Sequence, residues 1–125
     1  MSDRKKRPVV VVEDDASMSQ ALERILRLGG HEPRAYASAE AYLENHGKPD
    51  VACFIIDVQL PGMSGFELQS RLGPADEAAP VIFITAFDAP DARALAHEAG
   101  AAAFLVKPFS GRALLETVER ALRTE

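Results

Sequence analysis

The chain has 125 residues, 47% of them apolar and 26% charged. At that length one compact core can bury roughly two-thirds of the unfolded surface, so a single globular domain is expected, and neither a disordered segment nor a disulfide scaffold fits. The net charge of -5 disfavours nucleic acid as a direct ligand of this chain, because phosphate contacts need a basic surface.

The chain opens on a polar leader, residues 1–7, whose basic cluster Arg4, Lys5, Lys6 and Arg7 reads as a solvated arm before the first strand. It lacks the apolar centre of a secretory signal, and no stretch approaches the ~20 apolar residues that cross a bilayer. A cytoplasmic protein without a membrane segment is the expectation. Residues 8–125 form the domain. Its one cysteine, Cys53, sits in the apolar run "DVACFIID" and reads as a buried, inert thiol in a reducing compartment.

Five apolar runs follow in chain order: "PVVVV" at 8–12, a weaker "EPRAYA" at 32–37, "VACFII" at 51–56, "VIFIT" at 81–85 and "AAFLV" at 102–106. They are short, continuous and bounded by Pro, Gly or Asp, as strands buried on both faces of a parallel sheet should be. Helical patterns alternate with them. "SMSQALERILRLGG" puts Met18, Ala21, Leu22, Ile25, Leu26 and Leu28 largely on one face, with Ser17 able to cap its start and Gly29 or Gly30 its end. "SAEAYLENHG" has Ser38 as cap, Glu40 in its first turn and Gly47 beyond its end. "GFELQSRLG" and "APDARALAHEAG" come next, the latter with Pro90 in the first turn, where proline is tolerated. In "SGRALLETVERALRTE" the residues Leu114, Leu115, Val118, Ala121 and Leu122 make one stripe behind the cap Ser110.

Strict alternation of five strands with five helices predicts an α/β fold: a single doubly wound five-stranded parallel sheet, flavodoxin-like, with strand order 2-1-3-4-5. An eight-fold barrel needs far more chain. Ligands of such sheets lie beyond the carboxyl ends of the strands, near the point where the strand order reverses.

At those ends stand Glu13, Asp14 and Asp15 after the first strand, Asp57 after the third, Thr85 after the fourth, and Lys107 followed by Pro108 after the fifth. Two like charges about 4 Å apart cost roughly 4 kcal/mol at an effective dielectric of 20, so converging carboxylates require a cation. A hard, oxygen-ligated ion such as Mg²⁺ fits, and Lys107 supplies a second positive charge. A metal beside a carboxylate, an ammonium and a hydroxyl suits phosphoryl transfer, in which positioning and charge neutralisation do most of the catalysis. Asp57, ending the most apolar strand, is then the candidate nucleophile. Singly, each of these residues reads as well as a cap, a strand end or a solvated charge. Asp15 in particular suits the cap of the first helix better than the metal.

Taken together, "VVEDD", "IIDVQLPGMSG", "ITA" and "FLVKPF" make the chain resemble, from Val9 to about Leu122, a response-regulator receiver domain of two-component signalling. "SAEAYL" and "LPGMSGFEL" are similar to receivers of the nitrogen-fixation regulator type. The resemblance implies that Asp57 accepts a phosphoryl group from a sensor histidine kinase or a histidine phosphotransfer protein. It implies that Asp14, Asp57 and the backbone carbonyl of Gln59 hold Mg²⁺, or Mn²⁺ in its place, with Glu13 acting through water. Lys107 and Thr85 would contact the phosphoryl group, and the Lys107–Pro108 bond would be cis. Thr85 and Phe104 would form the switch that alters the face of the fourth helix, fifth strand and fifth helix. That face would engage a downstream protein target or a fused output domain. Gln59 and Phe87 would flank the path of an attacking water.

Three other readings carry less. A phosphatase of the haloacid dehalogenase type, Mg²⁺-dependent with an aspartyl nucleophile, needs a second Asp where Gln59 stands. A flavodoxin-like cofactor module would bring a phosphate against the acids of "EDDAS". A phosphorylation-independent interaction module has no support from a chain that keeps Asp14, Asp57, Thr85 and Lys107. Turnover of an external substrate is not expected.

Overall fold

The structure, a computed structural model, describes residues 7–45, 50–73, 76, 78–86 and 90–123. Among them five strands alternate with five helices: β1 (Val9–Val12), α1 (Ala16–Leu28), β2 (Pro33–Tyr36), α2 (Ala39–Glu44), β3 (Cys53–Asp57), α3 (Gly65–Ser70), β4 (Val81–Thr85), α4 (Pro90–Glu98), β5 (Ala103–Val106) and α5 (Gly111–Arg123). All strand pairs are parallel, in the order β2-β1-β3-β4-β5. The fold is the doubly wound, flavodoxin-like one read from the alternation.

The apolar runs are unbroken because the sheet is covered on both faces. Odd-numbered valines Val9 and Val11 join Cys53, Ile55, Ile82 and Ile84 beneath Leu22 and Leu26 of α1 and Leu114, Val118 and Ala121 of α5. Even-numbered Val10 and Val12 join Phe54, Ile56 and Phe83 on the opposite side, against Tyr42 of α2, Leu68 of α3 and Ala96 of α4. Alternation of side chains along each strand thus sorts one continuous run into two cores. Strand β2 is an edge: Pro33 starts it, where the missing N–H costs no ladder bond, and Arg34 and Ala35 face solvent. Cys53 is buried, its thiol 3.7 Å from the Phe54 carbonyl oxygen.

Helix starts follow side-chain capping. The Asp15 carboxylate accepts the N–H groups of Ser17 and Met18 at 2.9 and 3.3 Å, so Asp15, and not Ser17, caps α1. Helix α1 begins two residues earlier than a Ser17 cap would allow, which places Ser17 in its first turn as a backbone donor. Ser38, Ser64 and Ser110 cap α2, α3 and α5 through bonds to the N–H groups of Ala41, Glu67 and Ala113. Gly29 ends α1 and Gly30, at φ +87°, turns the chain away in the left-handed region. Leu28 is 80% exposed, off the α1 stripe, because it lies two residues past buried Leu26 on nearly the opposite side of the helix. Gly47 and Phe87 lie outside the described residues.

The chain runs from β1 to β2 on one side and returns to β3 on the other, so the order reverses between β1 and β3. Their carboxyl ends, carrying Glu13 and Asp57, flank that crevice.

Candidate functional site

Each acid reaches the rim by a local device. Glu13 follows β1 and is held in register by its N–H bond to the Tyr36 carbonyl, 3.0 Å. It is only 2% exposed. Its Oε2 accepts the N–H of Asp15 at 3.0 Å, folding the carboxylate back over the start of α1. Asp14 is exposed at the edge of the crevice. Asp57, 4% exposed, is the last residue of β3, and its Oδ1 accepts the N–H of Gln59 at 2.8 Å.

The loop after Asp57 is clamped back onto the strand by Gly65, whose N–H donates to the Val58 carbonyl at 3.1 Å. A Cβ on Gly65 would run into the Asp57 carbonyl oxygen and come within 3.0 Å of the Val58 Cα. Only glycine lets the two backbones meet this closely. On the far side of the same loop, Glu40 of α2 accepts the N–H of Met63 at 2.9 Å, beside Gly62 at φ +76°. That hydrogen bond holds the Glu40 carboxyl below its usual value of 4.5.

Lys107 closes the cluster from β5. Its backbone N–H donates to the Thr85 carbonyl at 2.7 Å, and the peptide bond to Pro108 is cis. The ammonium sits between two carboxylates, 3.0 Å from Glu13 Oε1 and 2.9 Å from Asp57 Oδ2. Thr85, 1% exposed, ends the neighbouring β4. Phe104 of β5 is half-buried and packs against the core that includes Phe83. Gln59 is exposed beside Asp57.

One ammonium faces three carboxylates, because Glu13, Asp14 and Asp57 each offer an oxygen and these atoms all lie within 4.8 Å of one another. Burial raises the Glu13 pKa above 4.5, the nearby Asp57 charge adds to this, and the hydrogen bonds from Asp15 and Lys107 do not fully offset it. For Lys107, burial works against its charge, but hydrogen bonds to Asp57 and Glu13 outweigh that and hold the ammonium above 10.5. With three carboxyl groups around one ammonium, negative charge is in excess at this rim. An all-oxygen donor set with excess negative charge fits a hard divalent cation that keeps some of its waters.

Four of the residues singled out from the sequence thus touch one another or share one cluster: Glu13, Asp14, Asp57 and Lys107. Thr85 adjoins through its carbonyl bond to Lys107. Two supporting residues escaped the sequence reading. Gly65 carried a signal, a glycine at a helix start just after an acid-bearing strand, whereas Glu40 gave only that of a first-turn acid.

The family model of the response regulator receiver domain matches residues 9–119. The chain is 43% identical over 112 residues to the response regulator protein FleR of Pseudomonas aeruginosa, covering 90% of this chain and 24% of that protein. It is 40% identical over 111 residues to nodulation protein W of Bradyrhizobium diazoefficiens, covering 88% of this chain and 48% of that protein. The chain therefore spans between about a quarter and a half of the length of these relatives. Among solved structures, chemotaxis protein CheY4 of Vibrio cholerae shares the fold with a TM-score of 0.87 at 29% identity, over 94% of this chain and 100% of that one. FixJ-N does so with a TM-score of 0.82 at 32% identity, over 97% of both chains. A match that runs from the first strand into the last helix, on a fold shared with solved receivers, means that the chain belongs to the response regulator receiver domains of two-component signalling.

Proposed function

We propose that Asp57 accepts a phosphoryl group from a phosphohistidine of a sensor histidine kinase or a histidine phosphotransfer protein. The observation that carries this is the seat of the Asp57 carboxylate: at the end of β3, 2.9 Å from the Lys107 ammonium, and beside two further acids. Attack by an Asp57 oxygen forms an O–P bond as the P–N bond to the donor imidazole breaks. In this reading the Lys107 ammonium would neutralise oxygens on which charge gathers, and the Thr85 hydroxyl, from the end of the next strand, would donate to another.

Asp14, Asp57 and the carbonyl of Gln59 would hold Mg²⁺ or Mn²⁺, with Glu13 reached through water. When bound, the ion supplies positive charge that neutralises the phosphoryl oxygens.

Receiver domains are signalling modules rather than turnover enzymes, and loss of the domain's own phosphoryl group belongs to this proposal. Its output would be a change in the face made by α4, β5 and α5, driven by Thr85 and Phe104 and read by a downstream protein or a joined output domain. A cytoplasmic setting belongs to the same reading. Among the described residues no helix is long and apolar enough to cross a membrane.

The test is intact-mass spectrometry after incubation with acetyl phosphate and Mg²⁺. The chain should gain one phosphoryl mass and Asp57→Asn should gain none. A folded wild-type chain that stays unmodified, beside a reactive control receiver, would overturn the reading.

A further inference from the structure

Helix α4 is lightly anchored. Of residues 91–98 only Ala96 is buried, and Leu95 is 50% exposed, whereas α5 buries Leu114, Thr117, Val118 and Ala121. Little apolar area therefore holds α4 to the sheet. Three residues before Ala96, and so on the same side of the helix, Arg93 places its guanidinium carbon 5.0 Å from the centroid of the Phe104 ring. Phe104 stands opposite Phe83 in the β4–β5 ladder and is half-buried against the same core as Ala96. The stack thus joins the lightly held helix to the strand that leads into Lys107.

We infer that Arg93 is a positioning residue for the switch: its guanidinium, stacked on Phe104, holds the ring and α4 in the present arrangement and so opposes the rearrangement that accompanies phosphorylation. This rests on the reading of Asp57 as phosphoacceptor and of Phe104 as the moving aromatic. A rearrangement that carries the ring away from Arg93 would break the stack, so the stack favours the arrangement observed. A contact made in one state alone biases the equilibrium by its full strength. A cation over a phenyl ring at an exposed position corresponds to about a twofold to fivefold bias.

The experiment is a double-mutant cycle with Arg93→Met, which keeps the apolar stem and removes the charge, and Phe104→Leu. The initial rate of phosphoryl gain from acetyl phosphate in Mg²⁺ is measured by intact mass, and the side-chain proton shifts of Arg93 report the ring directly. Arg93→Met should raise the rate about twofold to fivefold, Arg93→Lys should raise it less, and Arg93→Met should add nothing in the Phe104→Leu background. The upfield ring-current shift of the Arg93 protons should vanish in Phe104→Leu. Equal effects of Arg93→Met in both backgrounds, or no effect in a chain that phosphorylates normally, would overturn the inference while leaving the phosphoacceptor reading intact. A wild-type chain that gains no phosphoryl mass removes both.

Discussion

Asp57 depends on a residue without a side chain. Its strand end is pinned by the close approach of Gly65, where an added Cβ would meet the Asp57 carbonyl, the Ile56 side chain at 3.0 Å and the Val58 Cα at 3.0 Å. Two of these three neighbours are backbone and cannot rotate away, so Gly65→Ala has to push α3 off β3 or distort the strand. Overpacking of this kind costs typically 1–3 kcal/mol. The expected outcome is a lower urea midpoint by about that free energy together with slower phosphoryl gain at Asp57. An alanine variant with wild-type stability and rate would show that the approach is slack. Lys107 shows the complementary dependence on charge: two carboxylates overcome its burial and keep it an ammonium, so it faces the site as a fixed cation throughout the neutral range.

The elements place these residues through their ends. Asp15 caps α1 while its N–H holds Glu13, so one residue starts a helix and fixes a neighbouring carboxylate. Replacing such caps by alanine typically costs about 1 kcal/mol. Helix α2 contributes through Glu40, whose carboxylate braces the loop after Asp57 at the Met63 N–H. The bond lowers the folded pKa of Glu40 below 4.5. A carboxyl lowered on folding adds stability above its unfolded value and loses it as pH falls through the folded one. The brace should therefore be complete at neutral pH and released only in acid. In an NMR titration the Glu40 carboxyl should show a midpoint below 4.5 with the Met63 amide shift following it. Glu40→Gln should abolish that pH dependence of the amide, and an unshifted midpoint would count against the brace.

For the molecule as a whole, the excess of carboxylates at one rim couples stability to cations. Binding to the native state alone stabilises by about 2.7 kcal/mol when the ligand is at 100 times its dissociation constant. Added Mg²⁺ should raise the thermal midpoint. Asp14→Asn should raise the metal-free midpoint, because it relieves repulsion at an exposed position, and should remove most of the Mg²⁺ response. An equal Mg²⁺ shift in wild type and Asp14→Asn would place the ion elsewhere. Much of this architecture is legible in the chain because it is written locally: a continuous apolar run needs cover on both faces, and an acid or serine before a helical pattern caps it. The strand ends that carry Glu13, Asp57, Thr85 and Lys107 follow from those runs, as does a single α/β sheet. Which residues meet is another matter. The bonds from Lys107 to Glu13 and Asp57 join positions 94 and 50 residues apart, and they exist only because the crossovers bring β1, β3 and β5 to one rim in register. Arg93 over Phe104, Glu40 at Met63 and the closeness of Gly65 to Asp57 likewise leave no spacing signature, since each is set by the distance between packed elements. Local burial and capping determine what each segment becomes, and tertiary packing decides which of its polar groups share a site.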